Sequence, residues 1–237
     1  MKKLFVVLTF ILFAGNVSAQ QSFFTRERLT NMENFDMKPL SWGYFLGFNF
    51  YDFNFDYINQ QEDHNTDILV KESIGFNVGL VGDLRINNNI NLRLEPGLYF
   101  TQRNLTFPGF VEAKDYFREV KSTYIHIPLL LKVSTNRLNN FKPFVVAGIS
   151  TAFNLSSNEN NPDDNRQGNF RMKSNPMFYE IGFGIDFYLF YFKFTPSIRG
   201  VFAMTNELVP DNDINSPWTS NIENLATHAV FINFTFQ

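Results

Sequence analysis

Eight long segments of this chain alternate apolar side chains with small or polar ones, and this alternation limits the folds open to it. In residues 74–84, isoleucine, phenylalanine, valine and leucine occupy the even positions, with one glycine as the exception. Glycine, asparagine and aspartate occupy most of the odd positions. A period of two residues is the signature of a β-strand with two different faces. The predicted strands are roughly 41–57, 70–85, 90–106, 121–134, 142–155, 176–188, 190–203 and 225–237.

The links between these strands alternate in length. Short links follow the second, fourth and sixth strands, whereas long polar links follow the first, third, fifth and seventh. Tight turns on one side and long loops on the other are typical of an outer-membrane barrel, and each strand exceeds the roughly 9 to 11 tilted residues that cross a bilayer. The sequence therefore predicts an all-β fold, an eight-stranded antiparallel up-and-down transmembrane β-barrel. An even strand number places both mature termini on the short-turn, periplasmic side.

A soluble lipocalin-like barrel or sandwich is the alternative, since it would bury the same apolar face. The polar face favours the membrane barrel because it carries several glycines at the centres of long strands. Glycine weakens a strand unless another group packs closely against it, and a narrow lumen provides such packing. Three prolines, Pro96, Pro128 and Pro196, fall within predicted strands, and we expect a bulge or kink at each.

The first residues have the layout of a secretory signal peptide. Lys2 and Lys3 precede an apolar run at 4–14, and small residues at 17–19 form a cleavage site. The run of about 11 residues is short of the roughly 20 needed for a membrane helix. We therefore divide the chain into a signal peptide at 1–19, a periplasmic N-terminal extension at 20–40 and an outer-membrane β-barrel at 41–237.

Composition and charge exclude several other classes of protein. The chain has no cysteine, which excludes thiolate zinc sites, disulfide frameworks and cysteine nucleophiles. A net charge of −3 gives no basic footprint, so we expect no nucleic-acid partner. With 30 phenylalanines, which are poor helix formers, a helical bundle is also disfavoured.

Charged side chains recur on the face that the barrel turns inward. By parity the inward bases are Arg85, Arg93, Arg103, Lys132, Lys193 and Arg199, and the inward acids are Asp83, Glu95, Glu180 and Asp186. We expect these groups, Arg103 aside, to form a charge network by pairing, because an unpaired buried charge is costly. Asp83 is predicted to pair with Arg93, and Asp186 with Lys193 or a neighbour. The network is either a structural plug or a polar path for an ion or peptide, but an eight-stranded interior is just filled by side chains.

Catalysis receives little support from the sequence. The three histidines are His64 in a loop, His126 in the fourth strand and His228 in the last strand, and no serine lies two residues from His126. No two histidines stand at metal-ligand spacing. We therefore predict no enzymatic activity, no cofactor and no metal site.

Two early segments carry a resemblance to a known family: 31–39, NMENFDMKP, and 43–53, GYFLGFNFYDF. Further matches are GFNVGLVGDLR at 75–85, LRLEPGL at 92–98, IPLLLK at 127–132 and PFVVAG at 143–148. Over nearly the whole mature chain, the sequence resembles the PorT family, called SprT in gliding bacteria. The terminal Phe236–Gln237 is also similar to the signal that the barrel assembly machinery recognises in its clients.

The resemblance implies an outer-membrane component of the type IX (Por) secretion and gliding motility machinery of Bacteroidetes. The implied partners are outer-membrane lipid, other type IX components and, during insertion, the barrel assembly machinery. Because a filled barrel cannot conduct protein, we expect an accessory or scaffold role. A general small barrel for adhesion or envelope stability is the alternative. The extension at 20–39 either docks a periplasmic partner, plugs the lumen or is a disordered leader.

Overall fold

The computed structural model describes residues 30–58 and 67–237; the predicted signal peptide and the first part of the extension lie outside this range. Ten β-strands form one antiparallel sheet. Their bounds are β1 Leu40–Tyr57, β2 Leu69–Glu72, β3 Ile74–Arg85, β4 Ile90–Leu94, β5 Gly97–Thr106, β6 Phe117–Ser134, β7 Phe141–Asn154, β8 Met177–Tyr188, β9 Lys193–Ala203 and β10 Ile222–Phe236. A single helical turn, α1 (Ala113–Tyr116), precedes β6.

The ten strands form an eight-stranded ring. Strands β2 and β3 are separated only by Ser73, and β4 and β5 only by Glu95 and Pro96, so each pair is one interrupted barrel strand. Strand β1 pairs with β10 on one side and β3 on the other, which closes the sheet. The predicted up-and-down barrel is therefore confirmed. Short turns lie at one end of the ring, the short-turn end, and the opposite end is the long-loop end.

The three prolines differ in their effect on the sheet. Pro96 lies in the break between β4 and β5. Pro196 has no paired residue on β8, so the β8–β9 ladder is interrupted there. The kink predicted at Pro128 is wrong, because β6 runs unbroken through it and pairs with Ser150 of β7. The Pro128 carbonyl accepts a hydrogen bond from the Glu95 amide. The Pro128 nitrogen faces the same neighbouring segment as its carbonyl. The break between β4 and β5 in that segment requires no hydrogen-bond donor from Pro128.

Apolar side chains cover the outer wall of the ring. Leu80 and Phe183 are each 63% exposed and Ile181 is 59% exposed. None of the helices in the part of the chain that the structure describes has the length and apolarity of a membrane span. The buried inward face instead holds most of the charged residues of the strands.

The polarity of the wall inverts near the long-loop end. Along β1 the outward positions change from Phe48 to Asp52, while the inward positions change from Asn49 to Phe53. Phe53 belongs to a buried apolar cluster with Leu105, Phe107, Phe170, Met172, Leu208 and Leu225, among others. This inversion marks the edge of the lipid-facing belt on the side of the long-loop end. Between this edge and the long-loop end, the barrel has an apolar interior, as a water-soluble domain has.

Two long loops close the long-loop end, and we call residues 155–176 and 204–221 the cap. Asn165 donates a side-chain hydrogen bond of 2.9 Å to Asp211, which links the two loops. The carboxylate of Asp164 accepts hydrogen bonds of 3.0 Å from the amides of Asn212 and Arg166. The cap places Phe170 and Leu208 into the apolar cluster, so the mouth is sealed by packing.

Candidate functional site in the barrel lumen

A continuous chain of ion pairs crosses the lumen. Arg93 of β4 lies 2.7 Å from Asp83 of β3 and 3.2 Å from Glu95. Arg199 of β9 continues it, at 2.8 Å from Glu95 and 2.8 Å from Glu180 of β8. All five side chains are at most 5% exposed. Alternation explains the arrangement, because four of these residues stand at inward positions of their strands and Glu95 keeps the same parity in the break between β4 and β5.

A second group of charges joins this chain nearer the short-turn end. The ammonium of Lys132 lies 2.5 Å from Asp186 and 3.9 Å from Asp83, so Lys132 links the two carboxylates. Lys193 is more distant, at 4.0 Å from the same Asp186 oxygen. The other oxygen of Asp186 accepts a hydrogen bond of 2.7 Å from Thr195. Lys132 is thus the nearest partner of Asp186.

His126 is the last member of the series of ion pairs and lies at the centre of the barrel, although the sequence analysis did not place it in the network. Its Nε2 lies 2.7 Å from the carboxylate of Glu180, and both side chains are fully buried. Tyr99, Phe178 and Phe231 surround the imidazole, with ring centroids at 5.0 to 5.8 Å. The parity of His126 with Lys132 on the same strand was the signal that could have revealed it.

Two predicted inward bases stand apart from the network. Arg85 lies at the short-turn rim, where it donates to the carbonyl of Met37 at 3.2 Å and to the side chain of Asn88. Arg103 is fully buried, but it donates to Ser122 and Tyr124 and stacks on the Phe53 ring at 3.9 Å. The network therefore holds four cations and four carboxylates. The cations are Arg93, Lys132, Lys193 and Arg199, and the carboxylates are Asp83, Glu95, Glu180 and Asp186.

Aromatic side chains fill the lumen between the charge network and the cap. Tyr51 stacks on Tyr124 at 5.5 Å and contacts Phe231 at 5.4 Å. Beside them Asn77 donates a hydrogen bond of 2.5 Å to Asn233. In the cap, burial raises the pKa of Glu207, whose carboxylate accepts the Thr227 amide at 2.9 Å. The lumen is thus occupied along its length by charges, rings and apolar side chains.

The acidic side chains of the network are engaged by cations. Within residues 30–58 and 67–237, no three histidine or acidic side chains converge as metal ligands. Each network carboxylate has a cation within 4 Å, so the charges neutralise one another inside the low-dielectric lumen. Such pairing fixes the strands relative to one another, because moving one strand leaves a buried charge without its partner.

The described part of the N-terminal extension lies across the short-turn mouth. The Tyr188 hydroxyl donates a hydrogen bond of 2.6 Å to Asp36. Arg137 donates to the carbonyls of Asn31 and Met32 and lies 3.7 Å from Asp36. The Phe35 ring lies under the ammonium of Lys193 at 4.7 Å. Residues 31–38 therefore cover part of the mouth of their own barrel, whereas residues 20–29 lie outside the described part.

Several solved outer-membrane structures resemble this fold. OprG from Pseudomonas aeruginosa is 15% identical, with a TM-score of 0.44 over 82% of this chain and 94% of that chain. The outer membrane protein AlkL in lipid bilayers is 13% identical, with a TM-score of 0.43 over 82% and 90%. Ail, the attachment invasion locus protein of Yersinia pestis, is 10% identical, with a TM-score of 0.35 over 84% and 99%.

No curated protein sequence matches the chain. The family model described as the outer membrane protein β-barrel domain matches residues 19–209, which is most of the sequence. The closed ring, the apolar outer wall and the polar lumen are typical of outer-membrane barrels. The protein is thus located in the outer membrane, in contact with its lipid, and it belongs to the outer membrane protein β-barrel domain family.

Proposed function

We propose that this barrel is an accessory or scaffold component of the type IX protein secretion and gliding motility machinery. The sequence resemblance to the PorT family over the mature chain supports the assignment to that machinery. The filled lumen supports the accessory role, and it is the observation that carries the proposal. A cap, an aromatic layer and a charge network lie in series along the barrel axis. A folded or extended polypeptide has no path through such an interior.

The proposal assigns the protein no catalytic step. His126 is paired with Glu180 inside the closed lumen. His228 lies on the outward face of β10, beside the Phe202 ring at 5.5 Å. His228 stands opposite the exposed Asp52 of β1 on the outer wall, and His126 is sealed from solvent. The barrel acts through its surfaces and its rigidity, with other type IX components as partners and the barrel assembly machinery needed for its insertion.

Deletion of the gene tests the function. We expect a clean deletion strain to retain type IX cargo in the periplasm and to lose it from the medium and cell surface, as measured by immunoblots of each fraction. Expression of the wild-type chain from a plasmid should restore export. Normal export in the deletion strain would remove the assignment.

A general role in adhesion or envelope stability is the second candidate, and the folded cap favours it. The cap presents an ordered surface at the long-loop end, held by the Asn165–Asp211 hydrogen bond. The same deletion strain separates the candidates. Detergent sensitivity or loss of surface attachment with normal cargo export supports the second role, whereas an export defect with an intact envelope supports the first.

The orientation proposed with this function puts both mature termini in the periplasm. The chain has no cysteine, so single-cysteine variants can be labelled without background. Ile214→Cys lies in the cap and Phe190→Cys in the β8–β9 turn, and the two native side chains are 89% and 78% exposed. We expect a membrane-impermeant maleimide to label Ile214→Cys on intact cells and Phe190→Cys only after permeabilisation. The reverse pattern would contradict the orientation.

A further inference from the structure

The short-turn mouth holds a cavity with an excess of positive charge. The cavity is small and opens to solvent. Among the described residues, five cationic side chains line it against three carboxylates. The cations are Lys38, Arg85, Lys132, Lys142 and Lys193, and the carboxylates are Asp36, Asp83 and Asp186.

The three carboxylates are committed to other partners. Asp83 is held by Arg93 at 2.7 Å. Asp186 binds Lys132 at 2.5 Å through one oxygen and Thr195 through the other. Asp36 accepts the Tyr188 hydroxyl at 2.6 Å. These contacts leave Lys142 without a lining carboxylate within 4 Å, and Lys193 with Asp186 alone, at 4.0 Å.

Among the described residues that line the cavity, Lys142 and Lys193 are the two buried cations with no carboxylate oxygen closer than 4.0 Å. The Lys142 side chain makes one hydrogen bond, of 2.9 Å, to the main-chain carbonyl of Asn88. Its residue is 7% exposed, and no carboxylate of the described chain lies within 4 Å of its ammonium. Lys193 is 4% exposed, and its nearest carboxylate oxygen is 4.0 Å away. A buried ammonium without a counter-ion is costly, so Lys142 favours a bound anion, and Lys193 beside it has only the distant Asp186 oxygen.

Neutral donors surround the same cavity. Asn87, Asn91 and Ser41 also line it. The carbonyl oxygen of the Asn87 side chain accepts the amides of Asn89 and Ile90, which turns its amino group away from them. Several donors around two ammonium groups match an anion with more than one acceptor oxygen. We propose that the short-turn mouth binds a small oxyanion, a phosphate or carboxylate group, between Lys142 and Lys193.

Phosphate titration of the mature protein in phosphatidylcholine nanodiscs tests the site. Isothermal calorimetry at fixed ionic strength should show saturable binding of inorganic phosphate and, more weakly, of acetate. Lys142→Gln should weaken phosphate binding about tenfold or more, because a charge-assisted hydrogen bond is lost. Lys142→Arg, which keeps the charge, should retain most of the affinity.

Lys114→Gln is the matched control. Lys114 is exposed in α1, at the opposite end of the barrel, and its ammonium lies 2.9 Å from Glu112. The affinity of the Lys114→Gln variant for phosphate should equal that of the wild-type protein. If Lys142→Gln fails to fold, Lys193→Gln provides the same test. Absence of saturable binding to the wild type, or equal binding by the wild type and the folded lysine variant, would overturn the proposal.

Two probes identify the source of the oxyanion. Inorganic phosphate represents a free ion, and the water-soluble dihexanoyl phosphatidic acid represents a lipid headgroup. Tighter binding of the lipid to the wild type, lost in Lys142→Gln, assigns the site to a membrane lipid. Equal or weaker binding of the lipid assigns it to a free ion. The site rests on the geometry of the mouth alone, so it stands or falls independently of the secretion phenotype.

Discussion

At the residue scale, Arg199 is the side chain on which the central charges depend. It bridges Glu95 and Glu180, at 2.8 Å from each, and joins the Arg93 group to His126. A guanidinium suits this position because it presents five donors in a fixed plane and can serve two carboxylates at once. Lysine offers a single ammonium and cannot reproduce that geometry.

Arg199→Met should lower the free energy of unfolding by about 3 to 5 kcal/mol, since it leaves two buried carboxylates short of a partner. Urea unfolding in lipid bilayers, followed by tryptophan fluorescence, measures the change. Arg85→Met is the control, because Arg85 lies at the solvent-exposed rim and makes no ion pair among the described residues. Its substitution should cost less than about 1 kcal/mol. Equal losses in the two variants would show that the lumen network contributes no special stability.

At the scale of the elements, glycines allow the strands to pack around aromatic rings. Gly79 of β3 and Gly97 of β5 face each other across the ladder. A Cβ built on either glycine would lie 2.6 or 2.7 Å from the Phe45 ring. The ring therefore occupies the space that two side chains would otherwise fill. This contact explains why glycine occurs in the middle of long strands on the inward face.

Gly79→Val should displace the Phe45 ring and destabilise the barrel by about 1 to 3 kcal/mol through overpacking. Gly200→Ala is the control. Its Cβ would lie 3.0 Å from the Phe202 ring and at an ordinary 3.8 Å from the Ile181 carbonyl oxygen, and the ring lies on the outer wall, where it can move. Unfolding in urea compares the two variants. A smaller loss for Gly79→Val than for Gly200→Ala would be inconsistent with this packing.

Alternation made the strands predictable, because parity assigns each residue to the lumen or the lipid without any tertiary information. The same parity placed Asp83, Arg93 and Glu180 inside. It could not say which inward charges meet, since cross-lumen distances depend on strand tilt and stagger. The effect of Pro128 was mispredicted because it depends on which neighbour its nitrogen faces. The cap was not foreseen, since its loops carry no periodic pattern and fold only against the apolar cluster at the barrel end.

At the scale of the whole molecule, three layers close one tube. The N-terminal segment 31–38 covers part of the short-turn mouth, the charge network and aromatic layer occupy the middle, and the cap seals the other end. Closure of β1 on β10 and β3 also removes free sheet edges. The molecule is built to stay rigid and shut within the membrane. In the proposed scaffold role, its contacts with partner proteins come from the surfaces at its two ends.

Single-channel recording in planar bilayers tests the sealed barrel most directly. The purified mature protein should insert without any stable large conductance, because the network, the rings and the cap leave no continuous water path. A large porin of known conductance in the same bilayer verifies that insertion events are detected. A stable, large conductance from the mature protein alone would contradict the account, because it requires an open lumen where the structure places paired charges.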